Sequence, residues 1–142
     1  MKITYGMLFK LSETLNRMSG LTGKPGFSIA KTKRAIAQET EVFVELRDNL
    51  VTKYGESNEN GGYSIKPGSK HWEEFIAEFS ELHGEEVDVD IHRLSADEYD
   101  IDKMYCENAT AADYELFESI MVEKKDEDKP VDGSKDKETA EG

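Results

Sequence analysis

Apolar residues recur along this chain at two different spacings, and the switches between them divide it into elements. Leu8, Leu11, Leu15 and Met18 stand three or four positions apart. That spacing puts them on one face and predicts a first helix from about Thr4 to Arg17. Gly20, Gly23, Pro25 and Gly26 then crowd four helix breakers into one turn. Beyond them Ile29, Ile36, Phe43 and Leu50 return at every seventh position, with Ala30, Ala37, Val44 and Val51 alongside. One wide apolar stripe of this kind predicts a long second helix, capped by the Ser28 hydroxyl and running to about Tyr54. Gly55 fits the left-handed position just past its end, and Lys53 complements the negative end of the helix dipole. The first helix spans only about half of the second, at ~1.5 Å per residue. A hairpin of the two therefore leaves Phe43 to Tyr54 to be covered by the rest of the chain or by a partner.

The second half alternates shorter signals. Ser57 to Gly62, SNENGG, reads as a turn. Tyr63 to Lys66 reads as a short strand stopped by Pro67-Gly68. Ser69 caps a third helix over Lys70 to His83, with Trp72, Phe75, Ile76, Phe79 and Leu82 as its apolar face. Val87, Val89 and Ile91 alternate with Asp88, Asp90 and His92, the period of a half-buried strand. A strand-helix-strand unit results, its pairing direction open. Ser95 and Glu98 have capping-box spacing before a short helical turn that includes Tyr99, Ile101, Met104 and Tyr105. Thr110, with Asp113 at the reciprocal position, caps a last helix that buries Leu116, Phe117, Ile120 and Met121. After Val122 one large apolar residue remains, Val131, which predicts disorder over 123–142. The expected fold is α+β: an N-terminal helical hairpin with one long helix, packed on a small strand-helix-strand unit and a C-terminal helix. Residues 1–122 are expected to form one compact domain.

Charge changes this picture most. The chain has 142 residues and a net charge of −13, but the charge is segregated. Residues 1–54 carry +4, residues 55–122 carry −14, and residues 123–142 carry −3. A basic hairpin is thus joined to an acidic α/β part and an acidic tail. A chain so acidic repels nucleic acid and anionic membranes and attracts basic surfaces. No apolar run approaches the ~20 residues of a membrane span, and the N-terminus does not read as a signal peptide. The expectation is an intracellular protein without an intrachain disulfide, since Cys106 is the one cysteine.

The candidate chemistry is thin. Asp88, Asp90 and His92 would share one face of a strand and could hold a divalent ion. The reading preferred is the solvent face of an edge strand, where such charges discourage aggregation, and no metal site is expected. The segment is not an EF-hand, because the sixth position lacks glycine and Tyr99 takes the twelfth. Glu73, Glu74, Glu78 and Glu81 fall at helical spacing and read as a solvated face. Gly20, Gly23 and Gly26 precede Lys24, Lys31, Lys33 and Arg34, yet neither phosphate-loop pattern is present. No catalytic group and no cofactor is expected.

The segment F-x-E-x-R-x-x-L-x-x-K-Y-G-E, Phe43 to Glu56, resembles a family of small proteins of unknown function encoded by phages and prophages of Gram-positive bacteria. The short opening amphipathic helix, EEVDVDI at 85–91 and TAADYELFESIM at 110–121 are similar too. The resemblance covers residues 2–122. It implies a phage origin and transfers no catalytic residues. Two functions are then expected as alternatives. One is a non-enzymatic structural or virion-associated accessory protein, with a link to the tail among its forms, that binds phage subunits or further copies of itself. The other is a host-takeover or anti-defence inhibitor that offers a basic host protein a DNA-like array of carboxylates: Glu73, Glu74, Glu78, Glu81, Asp88 and Asp90. Either would act in the host cytoplasm or in the assembled virion, through protein contacts. Arg47 interrupts the apolar stripe beyond the reach of the first helix, and is expected to form a structural ion pair with the acidic half.

Overall fold

The computed structural model describes residues 1–124. The chain opens with a short strand, β1 (Lys2–Thr4), which the sequence pattern did not indicate ahead of the first helix. Thr4 ends the strand and caps α1 (Tyr5–Arg17), its hydroxyl accepting from the Met7 N–H at 3.1 Å. After a tight turn α2 (Gly23–Tyr54) runs for 32 residues, or about 48 Å. It begins several residues earlier than Ser28. Pro25 is tolerated because the first turn of a helix has no use for its missing N–H. A Cβ on Gly26 would collide with the Leu21 carbonyl, so glycine is what lets the turn close there.

A small hairpin follows, β2 (Glu56–Ser57) against β3 (Tyr63–Ser64), antiparallel. Then come α3 (Trp72–Gly84) and β4 (Glu86–Asp88). Ser69 does not cap α3. Its carbonyl accepts from Trp72, its hydroxyl turns back to the Lys66 carbonyl, and the helix starts at Trp72. Two 3-10 turns, Ala96–Glu98 and Ile101–Lys103, lead to α4 (Ala111–Met121). The Ser95/Glu98 and Thr110/Asp113 capping boxes are both formed.

The architecture is α+β, with the long helix and the C-terminal helix where the pattern put them. Strand, helix and strand do follow one another as β3, α3 and β4, but the two strands do not pair together. β3 pairs with β2, and β4 pairs antiparallel with β1 in the register Lys2–Asp88, Ile3–Val87 and Thr4–Glu86. The chain thus closes on itself through an N-terminal strand too short to show a period.

The hub of the core is α1, which packs against α2, α3 and α4. Leu8, Leu11, Leu15 and Met18 are fully buried. On α2, Ile29, Ile36 and Phe43 are buried and Leu50 is half-buried, but Ala30 and Ala37 face solvent. The expected double stripe is therefore narrower. Ser28 and Thr32 take the place of the alanine column, and both are buried. The distal part of α2 is covered by α3, as the helix lengths required. Phe43 sits in a cage of rings, with centroids 4.7 Å from Phe9, 5.1 Å from Tyr5, 5.2 Å from His83 and 5.9 Å from Phe79.

Past Asp88 the chain leaves the sheet. Val89 is still tied to Met1, its N–H donating to the Met1 carbonyl at 2.9 Å. Further along, Leu94 donates to the Met121 carbonyl and accepts from the Glu123 N–H, each at 2.8 Å. Glu123 therefore belongs to the fold, where the sequence placed it in a disordered tail. The remainder of that expectation, 125–142, lies outside the described residues.

Candidate functional site

The basic and acidic halves meet along four polar seams and one surface ion pair, Lys24 Nζ to Glu98 Oε2 at 3.1 Å, and these settle which charged side chains remain for a partner. The first seam is the β1–β4 pairing. In the second, Ser28 donates to the His92 carbonyl, and the His92 N–H donates to the Thr32 hydroxyl at 2.9 Å. Two hydroxyls on one face of α2 thus satisfy both backbone groups of His92, which has no strand to pair with. The His92 ring stands edge-on to Phe27, centroids 5.1 Å apart. Among the described residues no group of three His, Cys, Asp or Glu side chains is placed to hold a metal ion.

The third seam centres on Asp113, the second residue of a capping box and 2% exposed. Its carboxylate accepts from Arg17 Nε and Nη2, each at 2.7 Å, from the Thr14 hydroxyl at 2.8 Å and from the Thr110 N–H at 2.9 Å. The Arg17 hydrogen bonds, helped by those from Thr110 and Thr14, hold this carboxyl well below the ordinary carboxylate range, against the opposing effect of burial. Thr14 is likewise 2% exposed. The cross-half ion pair that the charge split called for is therefore Arg17–Asp113, with the carboxylate buried and the guanidinium partly exposed.

Arg47 is not that residue. It is exposed and bonds its chain neighbour Asp48, Nη2 to Oδ1 at 3.1 Å. Phe43 is the last buried position of α2, and beyond it the apolar residues Val44, Leu50 and Val51 are only half-buried, so Arg47 reaches water although it lies on the same side of the helix.

Lys53 and Tyr54 make the fourth seam. Both reach Glu78 on α3, Lys53 Nζ at 3.3 Å and the Tyr54 hydroxyl as a donor to the same carboxylate oxygen. The Tyr54 and Lys53 hydrogen bonds lower the Glu78 pKa, and the Glu78 bond raises that of Tyr54. Gly55 has φ −87°, so it is not the left-handed cap. Its value is room. A Cβ there would come within 2.5 Å of the carbonyl oxygens of both Ser64 and Val51, where β3 crosses the helix end. The K-Y-G-E end of the segment at 43–56 thus joins the two halves, through Lys53, Tyr54 and Gly55 rather than Arg47.

What remains is the candidate surface. Glu73, Glu74 and Glu81 are exposed on α3, with Glu74 reaching only to His71 at 3.1 Å. Asp90 is exposed. Asp88 is exposed too and lies 2.9 Å from the Met1 nitrogen, which lowers its pKa. Of the six, Glu78 turns into the fourth seam and Asp88 is tied to the chain's first residue at the edge of the first. Large apolar side chains also stand in solvent. On α2 they are Phe27, Val42 and Leu46, and beyond β4 they are Ile101 and Tyr105. No spacing signal separates these from core residues. Only the packing of α3 and α4 decides which faces stay open. Comparison with protein-family models, with curated proteins and with solved structures finds no significant match to this chain.

Proposed function

We propose that this chain is a non-enzymatic accessory protein of a bacteriophage, structural or virion-associated, that works by protein–protein contact. The observation that carries the reading is the set of carboxylates left over after the two halves have paired. Glu73, Glu74, Glu81 and Asp90 stay exposed on the acidic half. Such a surface favours a basic protein partner and disfavours a phosphate backbone. The phage origin rests on the resemblance of residues 43–56. Proteomic mass spectrometry of purified particles of a phage carrying the gene tests it. Recovery at constant stoichiometry supports the reading, and absence at a depth that detects minor proteins rejects it.

The same exposed array favours a second reading, an inhibitor of a host nuclease or other basic defence protein by mimicry of DNA charge. A pulldown from host lysate separates the two. Recovery of a nucleic-acid-binding host protein, displaced by duplex DNA, selects the inhibitor. Recovery of phage subunits alone removes it.

A further inference from the structure

An open groove of about 1340 Å³ runs between the 95–106 segment and the outer face of α4. It is distinct from the α3 surface and from all four seams. Three tyrosines line it, Tyr99, Tyr105 and Tyr114, together with Ile101. Two of the rings are fixed by hydrogen bonds. The Tyr114 hydroxyl donates to the Met104 carbonyl at 3.0 Å and accepts from the Cys106 N–H at 2.8 Å. The Tyr99 hydroxyl donates to Glu118 at 3.1 Å while its ring stacks on Phe117. Burial, reinforced by Glu118, pushes the Tyr99 phenol up to about 12, so it stays a neutral donor. Tyr105 is 79% exposed and Ile101 51% exposed, an unusual amount of apolar area to leave in water on a small loop.

Four carboxylates share the groove with these rings: Asp102, Glu115, Glu118 and Glu123. Among the described residues none of the four has a cation within ion-pair distance. Lys124, at the groove's end, is the one basic residue in its lining. Ala111 and Ser119 are short side chains on the same face of α4 as Glu115 and Glu118, and leave the space between them open. The carboxylates are too dispersed to chelate a metal ion, and the groove is larger than the ~300–1,000 Å³ typical of small-molecule pockets. Its charge repels phosphate. Spaced cations on an extended chain match it: aliphatic stems cover the tyrosine rings, and charged heads meet both the π faces and the carboxylates.

We propose that this groove binds an arginine- or lysine-bearing peptide segment of a protein partner. The assignment does not depend on particle membership. The test is fluorescence anisotropy with the full chain and a labelled Arg-Gly-Arg-Gly-Arg peptide in low-salt buffer. Any polycation is drawn to a chain of this net charge, so the discriminating comparison is between two double variants of equal charge. E115Q/E118Q should weaken binding roughly five- to tenfold, whereas E73Q/E74Q on α3 should leave it near the unmodified value. Tyr105→Ala should weaken it roughly two- to fivefold without altering the fold, since the side chain is almost free of neighbours. Equal losses in the two double variants, or no binding at all, overturn the proposal. So does competition by a synthetic peptide of residues 125–142, which would give the groove to the chain's own C-terminal stretch. Self-association that E115Q/E118Q abolishes would give it to the basic helix of a second copy, and overturns the proposal too.

Discussion

Asp113→Ala is expected to be among the most destabilising single changes of a polar residue in this protein. The carboxylate gathers four donors, from α1, from the α4 cap and from the Arg17 fork. Removing it strands the Thr14 hydroxyl in the core, at a cost of about 1–3 kcal/mol for an unpaired buried group. The lower end applies if the hydroxyl falls back on the helix carbonyl one turn earlier. Loss of the reciprocal capping contact to the Thr110 N–H adds about 1 kcal/mol. The Arg17 side chain is 42% exposed and regains water, so it adds little. Together the loss is about 2–4 kcal/mol, a fall in Tm of roughly 6–16 °C for a chain of this size. Thermal unfolding followed by far-UV circular dichroism measures it. A fall below about 3 °C would refute the claim that the buried hydroxyl and the cap depend on this carboxylate. The pH profile checks the same site from another side. Its folded-state pKa is depressed, so as pH falls the unfolded chain takes up the proton first. The contribution is complete at neutral pH and is lost progressively below about pH 5. Glu78, Glu98 and Asp88 are shifted in the same direction and share the slope. The diagnostic is therefore a shallower acid limb in Asp113→Asn than in the unmodified chain. Parallel limbs would count against it.

Phe43→Ala empties the ring cage between α1, α2 and α3 and should cost about 3–5 kcal/mol in urea unfolding, as for other buried phenylalanines. A cost under about 1.5 kcal/mol would mean that the cage does not hold α3 to α2. Gly55→Ala drives a methyl into two backbone carbonyls that cannot rotate away, and should cost about 1–3 kcal/mol with hydrogen exchange rising in the 56–64 hairpin. A neutral result would show that the hairpin can shift freely off the helix end. Arg47→Ala should change stability by less than about 0.5 kcal/mol, because the pair it breaks is exposed and local. A large loss would restore Arg47 to a structural role that the geometry denies it.

Much of this fold was legible as pattern. The seven-residue repeat from Ile29 to Leu50, the alternation at 87–91 and the two capping boxes are local signals, because each records how a helix or strand presents successive side chains. The charge split correctly required ion pairs between the halves, and the helix lengths correctly required a cover for the end of α2. The identity of the pair was beyond the sequence. Arg17 and Asp113 are ordinary cap-region residues until α4 docks on α1, nearly a hundred positions away. Arg47 looked anomalous only while the stripe on α2 was taken to stay buried beyond Phe43. The pairing of a three-residue strand at Lys2–Thr4 with Glu86–Asp88 was equally illegible, since three residues carry no period and the partner is fixed by closure of the chain. The tyrosine and carboxylate groove combines one face of α4 with a loop that has no regular spacing. The sequence alone therefore determined the helices and the distribution of charge, because a helix depends on neighbours three and four residues apart. Tertiary packing alone decided which carboxylates are spent in seams and which remain exposed, because that depends on how whole helix faces meet.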